Sequence, residues 1–141
     1  MRISLLVIVL FIFSCTMDGN EEKEELLTSI HWTIEQGTLP KGEVLNHKTS
    51  YTFSSDGSYL LKADQIEVNG KWSWVEEDEI LLEIKGLNFN NEATQFDAKS
   101  NKYYIRVIEL SDKVFKTLER HERDDWDSEF VKEVNYIPVE L

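Results

Sequence analysis

The feature that most constrains the fold of this chain is a repeated alternation of apolar and polar residues with a period of two. Successive side chains of a β-strand point to opposite faces, so each alternating run presents one apolar face to a core. Such runs are rich in aromatic and β-branched residues and are bounded by polar turn residues. Eight of them are found, at residues 30–36, 47–54, 58–64, 67–75, 79–85, 102–110, 113–121 and 129–138. The pattern predicts an all-β domain.

The breaks between these runs favour antiparallel pairing of neighbouring strands. Ser55-Asp56-Gly57 has a glycine able to adopt the positive φ of a tight hairpin turn, and 76–78 and 111–112 are polar breaks. Eight short strands joined mainly by tight turns close into an up-and-down barrel, which removes exposed edges, or fold as a sandwich. The pattern allows both architectures.

Three segments leave alternatives open. Ile108 and Leu110 are out of phase with the residues before them, which indicates a bulge or burial on both faces. Residues 21–27 could form one short helical turn. Residues 114–130 carry enough charge to be helical in part, although a strand is favoured there.

The longest break in the strand rhythm is predicted to be a loop at residues 86–101. Two aromatic residues, Phe89 and Phe96, lie in this otherwise polar segment. Long loops in compact domains are often functional. The two rings would either pin the loop to the barrel wall or cap a pocket and contact a partner.

The first fourteen residues have the pattern of an export signal. A short positive start, Met1-Arg2, precedes an apolar stretch at residues 3–13. A helix that spans a bilayer needs about 20 apolar residues, whereas a run of about 10–14 is typical of a signal peptide. Residues 1–14 are therefore predicted to be a signal peptide.

The end of this segment, Ile12-Phe13-Ser14-Cys15, resembles the lipobox of bacterial lipoproteins. In that family the cysteine thiol receives a diacylglyceryl group, the signal is cleaved before it, and the new amino terminus is acylated. The resemblance implies lipidation at Cys15 and attachment of the mature chain to a bacterial membrane. An ordinary secretory signal with an unpaired Cys15 is the alternative.

An acidic stretch follows the cysteine. Residues 16–25 read TMDGNEEKEE and contain no aromatic residue, so they are predicted to be a solvated tether. An acidic stretch after the lipid-bearing cysteine accompanies surface display in some bacterial groups. The expected organisation is a signal peptide at 1–14, a lipidated cysteine and tether at 15–25, and a barrel at 26–141. The expected location is the cell envelope, lipid-anchored to a bacterial membrane, with the surface of the outer membrane as one of the alternatives.

Three aromatic motifs lie along the predicted domain: Trp32 in the first strand, Tyr-Thr-Phe-Ser-Ser-Asp-Gly-Ser-Tyr at 51–59, and Asn-Gly-Lys-Trp-Ser-Trp at 69–74. They resemble the small lipocalin-like domains of bacterial lipoproteins, over most of residues 26–138. The resemblance implies a lipocalin-like fold, which is a small antiparallel up-and-down β-barrel of about eight strands.

Charge and motifs argue against several functions. A net charge of −12 disfavours nucleic acid and anionic lipid as partners. The three histidines, His31, His47 and His121, have no metal-ligand spacing, and the acidic clusters at 76–79 and 124–129 lack the glycine of a calcium loop. Neither a nucleophile elbow nor a phosphate-binding glycine loop is found. We therefore expect no enzyme activity, no metal and no cofactor.

The aromatic residues are the candidate ligand-binding groups. An eight-stranded barrel is just wide enough to be filled by side chains or to hold one small ligand. The candidates are Trp32, Tyr51, Phe53, Tyr59, Trp72, Trp74, Phe89 and Phe96. The leading hypothesis is a non-enzymatic, lipid-anchored protein that binds a small apolar or amphipathic molecule. If these rings simply fill the core, the alternative is a surface interaction module that recognises a protein or a glycan.

Overall fold

A computed structural model describes residues 19–38, 44–45, 48–97, 101–121, 126 and 131–139. The predicted signal peptide and Cys15 lie outside the described residues. The bounds of the helix and strands are α1 Gly19–Ser29, β1 His31–Thr38, β2 Val44–Leu45, β3 Thr49–Phe53, β4 Ser58–Ala63, β5 Ile66–Glu76, β6 Glu79–Phe89, β7 Glu92–Gln95, β8 Lys102–Leu110, β9 Phe115–Arg120 and β10 Lys132–Pro138.

Eight of these strands form a closed antiparallel barrel. Around the ring, β1, β3, β4, β5, β6, β8, β9 and β10 each pair with the next. The pairing of β10 with β1, from Trp32 opposite Pro138 to Thr38 opposite Glu133, closes the ring. The short strands β2 and β7 lie off the ring and pair with β1 and β6. The predicted all-β, lipocalin-like up-and-down barrel is confirmed, and a sandwich is excluded.

Each of the eight predicted runs contains one strand of the ring. The segment at 114–130 is a strand over Phe115–Arg120, so those six residues are not helical, and residues 122–125 and 127–130 lie outside the described residues. The phase change in the sixth run has the predicted cause, because the register of β8 and β9 shifts between Val107 and Glu109. A bulge inserts one extra residue and so moves the following side chains to the other face.

The prediction of a loop at residues 86–101 is wrong for most of that segment. Strand β6 continues to Phe89, and β7 returns alongside it as a hairpin. The two connecting residues, Asn90 and Asn91, both have positive φ, at 50° and 67°. This is the geometry of a type I′ turn, which asparagine tolerates and which matches the twist of a hairpin.

Helix α1 lies against the end of the barrel at which β1 begins, called here the helix end. It is longer than the single turn considered for 21–27, and its first half covers residues 19–25 of the predicted tether. Leu27 is fully buried, and the indole nitrogen of Trp32 donates a hydrogen bond to its carbonyl at 3.3 Å. Lys23 also donates to the carbonyl of Glu77. Within the described part of the chain, no helix is long and apolar enough to cross a membrane.

Large aromatic side chains fill the interior at the helix end. Phe53 packs edge-on against Trp72 and Phe115, with ring centroids 5.7 Å and 6.2 Å away. Trp32 lies 5.5 Å from Phe115. Edge-to-face packing at these distances adds to the stabilisation that burial itself provides. This end of the barrel is a solid core.

Gly70 lies where the backbone of β5 closely approaches that of β6. A Cβ at this position would lie 2.0 Å from the carbonyl oxygen of Glu83 and 2.8 Å from the ring of Tyr59. We therefore expect Gly70→Ala to lower the free energy of unfolding by about 2–3 kcal/mol, as overpacking does, in urea denaturation. Gly19→Ala, which places nothing within 4 Å of the new methyl, is the matched control. Equal stability of the two variants would contradict this packing.

Candidate functional site

The other end of the barrel encloses a cavity of about 310 Å³. It lies where β3, β5, β8 and β10 begin and where β4 and β9 end, called here the cavity end. Known ligand pockets have volumes of about 300–1,000 Å³. The cavity has room for roughly ten water molecules at their liquid volume of ~30 Å³ each, so it would accept a small organic molecule.

One part of the cavity wall is aliphatic. Its side chains come from β1, β4, β5, β6 and β10, and each sits at an inward-facing position of its strand. These residues are Ile34, Leu61, Val68, Leu82, Ile84 and Val134. Such a wall favours the apolar part of a ligand because contact removes apolar surface from water.

The rest of the wall is polar and is centred on Glu119. This side chain points inward from β9, and the residue is only 3% exposed. Its Oε1 accepts hydrogen bonds from the hydroxyls of Tyr136 at 2.5 Å and Thr117 at 2.9 Å. Its Oε2 accepts one from the hydroxyl of Tyr103 at 3.1 Å. We call these four residues the Glu119 cluster.

The tyrosines around Glu119 are held in their neutral form. Burial raises the pKa of Tyr51, Tyr103 and Tyr136 well above the ordinary value of 10, and the nearby negative charge of Glu119 raises it further. Burial also raises the pKa of Tyr59. Desolvation and a neighbouring like charge both disfavour the ionised phenol. The cavity thus contains neutral hydroxyl groups at physiological pH.

Two basic side chains lie at the rim of the cavity on either side of Tyr103. The His121 ring meets the Tyr103 ring edge-on, with centroids 4.9 Å apart. The ammonium of Lys132 lies 5.3 Å from the centroid of the same ring. The polar wall therefore has hydroxyls and a carboxylate inside and basic groups at its edge.

The candidate aromatic residues divide between the two ends. Tyr51 and Tyr59 line the cavity. Trp32, Phe53 and Trp72 lie in the solid core at the helix end. Trp74 is partly buried, and its ring packs edge-on against that of Trp72 at 6.4 Å.

Neither Phe89 nor Phe96 lines the cavity. They are 48% and 37% exposed. Phe89 ends β6 beside the Asn90-Asn91 turn, and Phe96 follows β7, where its backbone amide donates to the carbonyl of Lys85. Phe89 instead lines a shallow surface pocket with Thr49 and Ala63, two residues that also line the cavity, so it lies beside the cavity end without reaching Tyr51 or Tyr59.

The central polar residue of the site was not among the sequence candidates. Glu119 follows Phe115 and Thr117 at a spacing of two, so all three point to the same face of β9. That spacing was a usable signal. It was obscured because Glu119 begins the charged run Glu-Arg-His-Glu-Arg at 119–123, which has the composition of a solvated surface.

The histidines and acidic residues are dispersed in the fold. His31 lies on the outer surface, where its Nδ1 is 3.0 Å from the hydroxyl of Thr52. His121 lies at the cavity rim, and His47 lies outside the described residues. No group of three or more His, Cys, Asp or Glu side chains with the geometry to hold a metal is found in the described part of the chain.

Comparison of the sequence with protein-family models finds no match. Comparison with curated proteins also finds no match.

The buried tyrosines predict alkaline unfolding. Above pH 10 the unfolded chain loses phenolic protons that the folded chain retains on Tyr51, Tyr59, Tyr103 and Tyr136, so the free energy of unfolding falls. Each of these tyrosines lowers the free energy of unfolding by about 1.4 kcal/mol per pH unit, and the four together by about 5 kcal/mol per pH unit. This stability is fully present below pH 10. Urea denaturation between pH 9 and 11.5 measures the slope.

Tyr136→Phe is the matched variant for this prediction. It retains the ring and removes one titrating hydroxyl, so the slope should fall by about a quarter. A slope that Tyr136→Phe leaves unchanged would contradict the assignment of alkaline sensitivity to the Glu119 cluster.

Proposed function

We propose that this protein is a non-enzymatic lipoprotein of the bacterial cell envelope that binds a small amphipathic molecule inside its barrel. The observation that carries the ligand-binding part is the cavity of about 310 Å³ at the end opposite the helix. Its wall combines aliphatic side chains from five strands with one polar cluster. A few placed polar groups in an otherwise apolar pocket are typical of sites that orient a small ligand.

The two ends of the barrel support different roles for the aromatic residues. At the helix end, the ring of Phe115 packs against those of Trp32 and Phe53, and none of the three lines the cavity. At the cavity end, Tyr51 and Tyr59 line open volume instead. The solid core thus supplies stability, and the cavity end is free to bind. A barrel filled at both ends would instead have favoured a surface that recognises a protein or a glycan.

The membrane anchor in this proposal rests on the sequence. Residues 12–15 resemble a lipobox, and the apolar stretch before them is too short to span a bilayer. Two or more acyl chains give stable membrane attachment, whereas one gives only marginal binding. A triacylated Cys15 would therefore keep the barrel at the membrane surface.

Co-purification tests the binding site. The protein, purified gently and examined by native mass spectrometry, is expected to carry a stoichiometric small molecule that organic extraction removes. Ala63→Trp should abolish this extra mass, because Ala63 lines the cavity and an indole would occupy its volume. Ala93→Trp, the same change at an exposed position of β7, should retain it. A wild-type protein that carries no small molecule and binds neither fatty acids nor lipids would favour the surface interaction module.

Substitution of the anchor residue tests the proposed location. The wild-type chain expressed in a bacterium should fractionate with membranes and show the added mass of a diacylglyceryl group and an acyl chain on its amino terminus. Cys15→Ser should lack this mass and leave the membrane fraction, because the thiol that receives the lipid is absent. Membrane association that persists in Cys15→Ser would contradict lipid anchoring.

A further inference from the structure

Two carboxylates are buried in the described part of the barrel, and their surroundings differ. Glu79 lies on β6 with its side chain toward the outside, and Oε2 is 3.7 Å from a guanidinium nitrogen of Arg106. Glu119 faces the interior, and among the described residues it takes part in no ion pair within 4 Å. Its hydrogen-bond partners are the three hydroxyls of the Glu119 cluster. A buried negative charge without a cation is costly, so this site favours a cationic guest.

The hydrogen bonds of the cluster determine what a guest must offer. The hydroxyls of Tyr103 and Tyr136 donate their single protons to Glu119, and the hydroxyl of Thr117 has Glu119 at 2.9 Å and the carbonyl of Val134 at 3.4 Å as acceptors. With those protons in use, the three hydroxyl oxygens can only accept further hydrogen bonds. The Glu119 cluster therefore presents acceptors, and a ligand that contacts it needs N–H or O–H donors.

Aromatic rings adjoin the same carboxylate. Tyr51 meets Tyr136 edge-on with centroids 5.5 Å apart and lies 6.4 Å from Tyr59. These three rings line the cavity next to Glu119. A cation within about 6 Å of an aromatic face is attracted by the ring quadrupole, and more strongly when it is desolvated. Rings and carboxylate thus favour the same kind of group.

We propose that the cavity binds a small amphipathic amine, with its protonated nitrogen at Glu119 among the rings of Tyr51, Tyr103 and Tyr136 and its apolar part against the aliphatic wall. This inference rests on the proposed function of ligand binding in the cavity and adds the chemical class of the ligand. A fatty acid fits less well. With its carboxylate inside it would meet a like charge, and with its tail inside it would bury acceptor groups without partners.

Lys132 is the basic group that competes with such a guest. It lies directly opposite Glu119 in the register of β9 and β10, and its ammonium sits near the ring of Tyr103 instead of forming an ion pair with Glu119. Lys132→Met keeps the length of the side chain and removes the charge. It should strengthen amine binding, and weaker binding in this variant would overturn the proposal.

Three probes of nearly equal size test the charge of the ligand: 2-phenylethylamine, 2-phenylethanol and phenylacetate. They are titrated by calorimetry into the protein purified from membranes in a mild detergent, after its bound molecule has been extracted, with micelles alone as the blank. The amine is expected to bind at least about tenfold more tightly than the alcohol, as a charged hydrogen bond allows. Phenylacetate is expected not to bind.

Glu119→Gln should remove that preference, with at least about a tenfold loss for the amine and little change for the alcohol. Glu133→Gln, the same change on the exposed face of β10 where Glu133 pairs with Lys116 at 3.0 Å, should leave both affinities as in the wild type. If Glu119→Gln fails to fold, wild-type NOEs from the methylene beside the nitrogen to the rings of Tyr103 and Tyr136 locate the amine instead. Their absence in the amine complex would overturn the proposal.

The outcomes separate this inference from the proposed function. Binding of the alcohol or of phenylacetate with an affinity equal to or higher than that of the amine would overturn the amine assignment and retain a ligand-binding cavity. Failure of all three probes to bind would overturn the amine assignment, and together with a bare protein in native mass spectrometry it would overturn the binding function as well.

Discussion

The antiparallel pairing of β1 with β10 is the contact on which the rest of the structure depends. It joins the first and last strands of the ring over six residue pairs, and it converts a sheet with two exposed edges into a barrel with none. Closure also creates an inside, so every inward-facing residue of the eight strands must share one limited volume. The cavity exists because that volume is filled from one end only.

The unequal filling follows from the positions of the large rings along the strands. Trp32 is near the start of β1, Phe53 is the last residue of β3, and Phe115 is the first residue of β9. In an up-and-down barrel these positions fall at one end, where α1 adds Leu27 to the same core. The aliphatic residues of the cavity wall and the smaller Ala63 lie toward the opposite end. The strand register thus separates a part that stabilises the fold from a part with room for a guest.

The fold could be predicted from the sequence because period-two alternation is a local signal that each strand carries by itself. The hairpin at 86–95 was missed because Asn90-Asn91 lacks the glycine that usually marks a type I′ turn, so two strand ends and a turn had the composition of a polar loop. The site was predicted only in part. Tyr51 and Tyr59 belong to a visible aromatic motif, whereas Tyr103, Glu119 and Tyr136 lie on three different strands and meet only once the barrel has closed. Their association depends on the pairing register of neighbouring strands, which cannot be derived from the alternation pattern of each strand alone.

The presence of a carboxylate at the centre of this cluster requires an explanation beyond stability. A buried ionised group is often no more stabilising than a well-packed apolar side chain of similar size. Neighbouring inward positions hold apolar residues, Val134 on β10 and Ile105 on β8, so an apolar side chain would also suit position 119. Three hydroxyls donate hydrogen bonds to Glu119, and none of them supplies a positive charge. The fold therefore places a buried carboxylate at the inner wall of a cavity large enough for a small molecule. A negative charge at this position is costly without a cation and becomes favourable when a cationic ligand binds, which links the energetics of this barrel to the chemistry of its ligand.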